Sequence, residues 1–324
     1  MKSFESFLAP KMEQYLAYRK ALGYNPYHSH YLLLHFDRYV QKIPLLWDEL
    51  NPLYFLTFRE SLQKEHTTVN RIMEQVKNFF QFLVREGEIE ENPVRDIPSL
   101  KKRLFIPFVF SEGEIEAFLC SLRESIRKEP HYFLKDLSLY CALLLQARCG
   151  LRISEPRALL LSHFHAQERC IYIEKTKFKK DRLIPIPEEV ARDITNYLAV
   201  RKSLRKNDQN PYLLCGRGRF HISKGALLRT FHKAVNDCVV YQPRRVIGTM
   251  IFGSPTTHSL RHSFAINTLI RAKKKGRSPQ CVLPYLAAYM GHCKYQCTAV
   301  YLKVLNALER RALADYTASV QGQL

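Results

Sequence analysis

The amino-acid sequence predicts a mainly helical protein with a small antiparallel β-sheet, divided into a helical N-terminal bundle and a second, α+β domain. Apolar residues recur at helical spacing throughout the first hundred residues. Prolines and glutamates interrupt that pattern between residues 87 and 107. Two short β-like segments then stand among further helical patterns, which is the order expected of an α+β domain.

The N-terminal bundle is predicted from four segments with helical periodicity. The first covers residues 4–22 and stops at Gly23, because glycine readily adopts the left-handed conformation that ends a helix. Three more helices are predicted near 28–41, 51–64 and 68–86, and Asn51-Pro52 marks the start of the third. Four or five short helices of this kind form a compact bundle.

A linker separates the two domains. Pro93, Pro98 and Pro107 are too closely spaced for a helix to continue, and the basic stretch 101–103 between them suits an exposed strap. We therefore predict a first domain over 1–100, a linker over 101–107 and a second domain over 108–324.

The second domain is predicted to open at Ser111-Glu-Gly-Glu114, which has the pattern of a capping box. A helix over 132–148 ends at Gly150, and the strands Cys170–Ile173 and Arg182–Ile186 follow, joined by the polar stretch 175–181. Further helices are predicted near 187–202, 222–238, 258–271, 281–290 and 297–316. The last continues into a C-terminal tail helix, about 303–324.

The net charge of +20 indicates a polyanionic partner. Residues 1–100 hold 12 basic and 13 acidic residues, whereas residues 101–324 hold 38 and 17. Surfaces that grip phosphate are therefore expected mainly in the second part of the chain. The candidate phosphate-contacting residues fall in three basic stretches: Lys101, Lys102 and Arg103; Lys175, Lys179, Lys180 and Arg182; and Lys273, Lys274, Lys275 and Arg277.

A cytoplasmic protein without a metal site is predicted. No apolar run approaches the length of a membrane span, and the N-terminus has no signal-peptide core. The nine cysteines are odd in number and mostly lie among apolar residues, so they are expected to be free. His292, Cys293 and Cys297 could suggest zinc, but no second group of ligands accompanies them.

Three segments combine turn-forming residues with charged side chains. Gly150-Leu-Arg152 follows a helix and can point a guanidinium fork at two phosphate oxygens. His258 and Arg261 share one face at the start of a helix, where backbone N–H groups favour an anion. Gly291-His292 precedes a helix that presents Tyr301. Each segment alone is equally consistent with an ordinary surface.

Taken in order, these segments resemble the tyrosine site-specific recombinase, or phage integrase, family over roughly residues 108–310. Gly150-Leu-Arg-Ile-Ser-Glu155 resembles the motif of the family's first arginine, and His258-Ser-Leu-Arg261 resembles its second box. The segment 176–185 is similar to the hairpin that carries the family's lysine, which points to Lys177, with Lys175 and Lys179 as rivals. The long, basic interval between Arg261 and His292 is more similar to recombinases of transposon-type mobile elements.

The resemblance implies a mechanism without metal or nucleotide cofactor. Tyr301 would attack a scissile phosphate and form a 3′-phosphotyrosine. Arg152 and Arg261 would stabilise the transition state, and Lys177 would protonate the leaving 5′-oxygen. His258 would accept the tyrosine proton, and His292 would bond a non-bridging oxygen. Glu155 would orient a cationic neighbour, or lie on a helix surface.

The resemblance also implies an integrase that binds a specific double-stranded DNA site through the core-binding bundle. A synaptic tetramer would assemble on DNA, with the tail docking on a neighbouring protomer or packing on its own domain, and accessory recombination proteins are compatible with this scheme. Two alternatives share features with it: a type IB topoisomerase, and a non-catalytic DNA-binding subunit of a recombination complex. The small helical first domain favours the recombinase over the topoisomerase, and the six matched catalytic positions favour an enzyme over the non-catalytic subunit.

Overall fold

The computed structural model describes residues 2–42, 47–174, 181–216, 218–238, 241–248, 250–292 and 295–307. The chain divides into two compact units, Met1–Leu104 and Phe105–Leu324. The division falls inside the proline-rich, basic segment that the sequence marks as a linker. The predicted class is confirmed: helices dominate, and the strands form small antiparallel sheets.

The first unit is built of four α-helices: α1 (Ala9–Ala21), α2 (Pro26–Lys42), α3 (Pro52–Ser61) and α4 (His66–Arg85). The predicted first helix, 4–22, begins five residues late. Pro10 lies in its first turn, where a residue without an N–H group is tolerated. Asn51 caps α3 by accepting a hydrogen bond from the backbone N–H of Tyr54 at 3.1 Å.

Aromatic side chains fill the core of the first unit. Phe36, Phe55, Phe58 and Phe80 are buried, with ring centroids 5.1 to 5.9 Å apart in one stacked pair and three edge-on pairs. The buried carboxylate of Asp37 accepts hydrogen bonds from the backbone N–H groups of Glu5 and Ser6. Asp37 is therefore satisfied by neutral donors.

In its described residues, the second unit combines eight α-helices with six short strands. In chain order these are β1 (Leu104–Ile106), α5 (Glu112–Glu124), α6 (Pro130–Cys149), α7 (Ser154–Ala158), β2 (Phe164–His165), β3 (Cys170–Ile173), β4 (Arg182–Pro185), α8 (Glu188–Leu204), α9 (Lys224–Asp237), β5 (Arg245–Ile247), β6 (Met250–Phe252), α10 (Thr257–Lys274), α11 (Pro279–Met290) and α12 (296–307). The capping box at Ser111 that was predicted to open α5 is present. Helix α6 is buried along most of its length and forms the centre of this unit.

The six strands form two three-stranded sheets. The sequence predicted the hairpin of β3 and β4, whose antiparallel register pairs Ile171 with Ile184, and β2 extends it. The other sheet has the order β1-β6-β5 and was not predicted. Its strands are three residues long, which is too short for an alternating pattern to be recognised.

Helix α10 carries His258 and Arg261 in its first two turns. Thr256 caps its start, since its hydroxyl accepts from the backbone N–H of Ser259 at 3.3 Å. The helix continues to Lys274, three residues beyond the end predicted at 271, so Lys273 and Lys274 of the basic stretch lie in its last turn. Arginine, alanine and lysine are strong helix formers, which explains why the helix extends through them.

Candidate active site

Five segments of the second unit that the structure describes converge on one site: the end of α6 with the turn into α7, the start of β4, the start of α10, the end of α11, and α12. Gly150 and Gly291 end α6 and α11 with φ of 60° and 64°, the left-handed conformation that glycine adopts without strain. A Cβ atom on Gly150 would lie 2.5 Å from the ring of Phe264, so this turn also needs the absent side chain.

Arg261 joins the ends of α6 and α11. Its guanidinium donates to the carbonyl oxygens of Gly150 and Met290, both at 2.6 Å. Its side chain is only 1% exposed. Arg261 therefore lies at the centre of the site and also holds it together.

Glu155 is the carboxylate around which three guanidinium groups gather. We call Arg152, Arg182 and Arg261 the guanidinium cluster. Arg152 donates to Glu155 Oε1 at 2.8 Å, Arg182 donates to both carboxylate oxygens at 3.1 and 3.0 Å, and Arg261 lies 4.0 Å away. Arg152 also donates to the carbonyl oxygen of Gly291 at 3.0 Å.

The charges of Glu155 and of the guanidinium cluster shift one another's pKa values. Burial by itself would raise the pKa of Glu155, but the hydrogen bonds and charge of Arg182, together with the backbone N–H of Arg152 and the charge of Arg261, lower it below the ordinary value. Burial and the nearby Arg152 lower the pKa of Arg261 to about 10. At neutral pH three positive charges therefore surround one negative charge, which leaves a local excess of positive charge.

His292 is held between Arg261 and α12. Burial and the charges of Arg261 and Arg152 lower its pKa to about 4, so the ring is neutral at neutral pH. Its Nε2 lies 3.1 Å from an Arg261 nitrogen, which can only donate, and its Nδ1 lies 2.7 Å from the buried hydroxyl of Thr298. These partners assign the proton to Nδ1.

Tyr301 projects from α12 into the same site and is 4% exposed. Its hydroxyl oxygen lies 3.3 Å from Nδ1 of His262, and its ring lies parallel to that of His292 with centroids 6.2 Å apart. Burial raises the pKa of the phenol, and the charges of Arg261 and Arg152 offset part of that rise.

His258 and His262 lie one helical turn apart on α10, with ring centroids separated by 4.5 Å. His258 is on the exposed side, yet partial loss of water and the charges of Arg261 and Arg152 lower its pKa. His262 lies deeper, and its pKa is lowered to about 3. Burial is the main cause, and the neighbouring His258 and Arg261 lower it further. The sequence pattern that pointed to His258 and Arg261 gave no role to His262.

The structure thus brings together Arg152, His258, Arg261, His292 and Tyr301, five of the six catalytic residues that the sequence suggested. Lys177, its rivals Lys175 and Lys179, and Lys180 lie outside the described residues. So does the tail beyond residue 307.

The remaining candidate DNA contacts differ in their surroundings. The basic residues at 101–103 and at 273–275, with Arg277, are exposed. Arg182 is half-buried, and its guanidinium donates to Glu155 and to the carbonyl oxygen of Tyr289 at 2.9 Å. Its charge suggested a phosphate contact, whereas the structure gives it partners within the protein. Within the described ranges, no group of three or more potential ligand side chains could hold a metal ion.

Comparison with known proteins identifies the family of this chain. The family model described as the phage integrase family matches residues 122–307, more than half of the chain. The chain belongs to the phage integrase family. The class of enzyme is accordingly a tyrosine recombinase, as the sequence predicted.

Similar family members include proteins of two bacteria. A protein of Sinorhizobium fredii named as an integrase/recombinase is 26% identical over 327 residues, which cover 99% of both chains. The tyrosine recombinase XerC of Thermodesulfovibrio yellowstonii is 27% identical over 246 residues, covering 74% of this chain and 72% of its own.

A solved structure of the XerH site-specific recombinase, bound to a palindromic difH substrate in a post-cleavage complex, has the same fold. Its TM-score is 0.67 at 17% sequence identity, over 94% of this chain and 84% of the XerH chain.

Among the helices of the described ranges, none has the length and apolar character needed to cross a membrane.

Proposed function

We propose that this phage integrase family member cleaves and rejoins double-stranded DNA at a specific site through a covalent link between Tyr301 and a 3′-phosphate. The observation that carries the proposal is the guanidinium cluster beside Tyr301. Three guanidinium groups share one carboxylate, and a phosphodiester is an anion whose oxygens match guanidinium forks.

In the proposed reaction, the phenol oxygen of Tyr301 attacks phosphorus while the bond from phosphorus to the 5′-oxygen breaks. The negative charge that grows on the non-bridging oxygens is stabilised by Arg152 and Arg261, with His258 beside them at the exposed edge of the site. Lys177 protonates the leaving 5′-oxygen. Glu155 orients Arg152 and keeps the cluster from repelling itself.

His292 is proposed to act chiefly through Arg261. Its Nε2 accepts from that guanidinium, and Thr298 fixes the other ring nitrogen. This arrangement supports a positioning role, in which His292 aims Arg261 at the phosphate. Direct bonding of a phosphate oxygen by His292 would first require its Nε2 to give up Arg261 and gain a proton.

The phosphotyrosine conserves the energy of the broken phosphodiester, so rejoining needs neither a nucleotide nor a metal cofactor. Exchange between two duplexes cuts four strands, and each cut uses one Tyr301. We therefore propose that four protomers assemble on DNA, with the tail beyond residue 307 and the basic residues at 101–103 and 273–277 contributing to assembly and DNA binding.

A nicked suicide substrate tests the proposal, because loss of the short fragment beyond the nick traps the covalent complex. Duplexes would carry inverted repeats from the DNA that flanks the gene. The wild-type protein is expected to form an adduct that resists SDS, and Tyr301→Phe is expected to form none.

Tyr295→Phe and Tyr289→Phe are the matched controls. Tyr295 is exposed, and the Tyr289 hydroxyl donates to the carbonyl oxygen of Pro185, so both variants should retain the adduct. Adduct formation that survives Tyr301→Phe and disappears with either control would overturn the assignment. Absence of any adduct on substrates that the protein binds would favour the non-catalytic alternative.

A further inference from the structure

Attack by Tyr301 requires that the phenol lose its proton, and the histidine whose ring nitrogen lies 3.3 Å from the phenol oxygen is His262. We infer that His262, and not His258, accepts the proton of the Tyr301 hydroxyl. The inference rests on the proposed role of Tyr301 as nucleophile and adds a further catalytic residue to that site.

The position of His262 on α10 supports this role. Its Nδ1 lies 3.3 Å from the phenol oxygen, and the two rings meet nearly edge-on with centroids 5.6 Å apart. His258 occupies the preceding turn on the exposed side of the helix. The inner histidine is therefore in reach of the buried phenol, while the outer one is exposed to solvent.

The other basic groups beside the phenol are poorly suited to accept a proton. Arg261 is a cation with donors only. His292 has one ring nitrogen accepting from Arg261 and the other bonded to Thr298. His262 differs from both, because it directs a ring nitrogen at the hydroxyl.

The surroundings of His262 keep it in the form that can accept. Burial and the nearby His258 and Arg261 lower its pKa, so the ring is neutral at neutral pH. In the tautomer with the proton on Nε2, the Nδ1 lone pair faces the phenol and can accept its proton. A phosphate that docks against the guanidinium cluster brings a negative charge. That charge favours the imidazolium, so the basicity of His262 rises when substrate is present.

The step balances without an added reactant. As the bond from the phenol oxygen to phosphorus forms and the bond to the 5′-oxygen breaks, the phenol proton passes to Nδ1 of His262. The 5′-oxygen gains its proton from the proposed general acid. During rejoining, the His262 imidazolium returns the proton to the departing phenolate oxygen.

The first experiment compares His262→Gln with His258→Gln in single-turnover adduct formation on the suicide substrate. Loss of a general base lowers the rate by about 10²- to 10⁴-fold, and we expect this loss for His262→Gln with a smaller loss for His258→Gln. A rate for His262→Gln near that of the wild type, or a larger loss for His258→Gln, would overturn the inference. Either outcome leaves the Tyr301 adduct in place and the proposed function intact.

A second experiment separates proton transfer from packing. A fluorinated tyrosine placed only at position 301 has a more acidic phenol, which depends less on a base. The rate deficit of His262→Gln should shrink on this background, whereas that of Arg152→Lys should not. An unchanged deficit for His262→Gln would show that the ring serves only to pack the phenol.

An NMR comparison of the wild-type protein with Tyr301→Phe tests the same contact without His262→Gln, in case that variant does not fold. The NMR resonance of His262 Nδ1 is expected to shift when Tyr301→Phe removes the donor, while the resonances of His258 stay in place. A shift at His258 in the absence of one at His262 would contradict the contact on which the inference depends.

Discussion

The two units treat buried charge in different ways. In the first unit, Asp37 is buried against backbone N–H groups and the amide of Gln41, and it needs no cation. In the second unit, Glu155 is buried among three arginines, so the charges depend on one another. Neutral donors satisfy a charge that serves only the fold. Three arginines around one carboxylate leave a net positive charge that attracts a further anion. This guanidinium cluster lies at the site where DNA cleavage is proposed.

Among the variants that test this difference between the two units, Glu155→Gln is expected to lower the free energy of unfolding the most. The variant leaves the guanidinium cluster without its carboxylate, and breaking a buried ion pair lowers the free energy of unfolding by about 3–5 kcal/mol. Urea unfolding measures the loss, and adduct formation is expected to fall with it.

Asp37→Asn is the matched control in the first unit. It weakens hydrogen bonds from neutral donors, which is expected to lower the free energy of unfolding by about 1–3 kcal/mol. The folded fraction should still form the adduct at the wild-type rate. If Asp37→Asn proves as harmful as Glu155→Gln, the distinction between the two kinds of buried charge fails.

A smaller effect is expected from alanine at two glycines of left-handed conformation. Gly87 in the first unit has φ of 75° and open space around its Cα, so Gly87→Ala should lose about 1–2 kcal/mol of unfolding free energy. Gly150→Ala adds a clash with Phe264 to the same backbone strain and should lose more. It also displaces the carbonyl oxygen that accepts from Arg261, so cleavage should slow only in this variant. Equal losses in urea unfolding would mean that Phe264 moves aside freely.

The smallest expected effect is a change in how the free energy of unfolding depends on pH. In the folded protein, the pKa values of His262 and His292 are about 3 and about 4, below the usual value near 6.5 for an unfolded chain. The unfolded chain therefore binds more protons, and stability falls as pH drops from about 6.5 to about 4. Urea midpoints across this range should show a shallower slope for His262→Gln than for the wild type.

His35 in the first unit offers the comparison. Burial and the charges of Lys64 and Arg38 lower its pKa as well, but by less than the pKa of His262 is lowered. His35→Gln should change the slope less than His262→Gln does. The reverse order would place the main acid-sensitive histidine in the first unit.

Much of this architecture was accessible from the sequence because local patterns determine it. Helical periodicity located the long helices, Gly150 and Gly291 marked helix ends, and the order of short motifs identified the family. These features depend on neighbours within a few residues. The strands β1, β5 and β6 were missed because three residues carry too little periodicity.

Other features depend on contacts that a single sequence does not display. Arg182 carries a charge that suggests DNA, yet its partners are Glu155 and a carbonyl more than a hundred residues away. His262 follows Arg261 directly, and only the packing of α12 against α10 shows that its ring meets Tyr301. The choice of proton acceptor therefore required the fold.

The dual attachment of Arg261 has a consequence for how relatives of this chain should diverge. Its guanidinium holds the ends of two helices together, so selection for a stable fold preserves it even where selection for cleavage has ceased. Tyr301 and His262 contact each other between α10 and α12, but neither binds the carbonyl oxygens at the ends of two helices as Arg261 does. A descendant that has become a mere DNA-binding protein should thus retain its arginine and lose its tyrosine, and the nucleophile is the better marker of surviving activity.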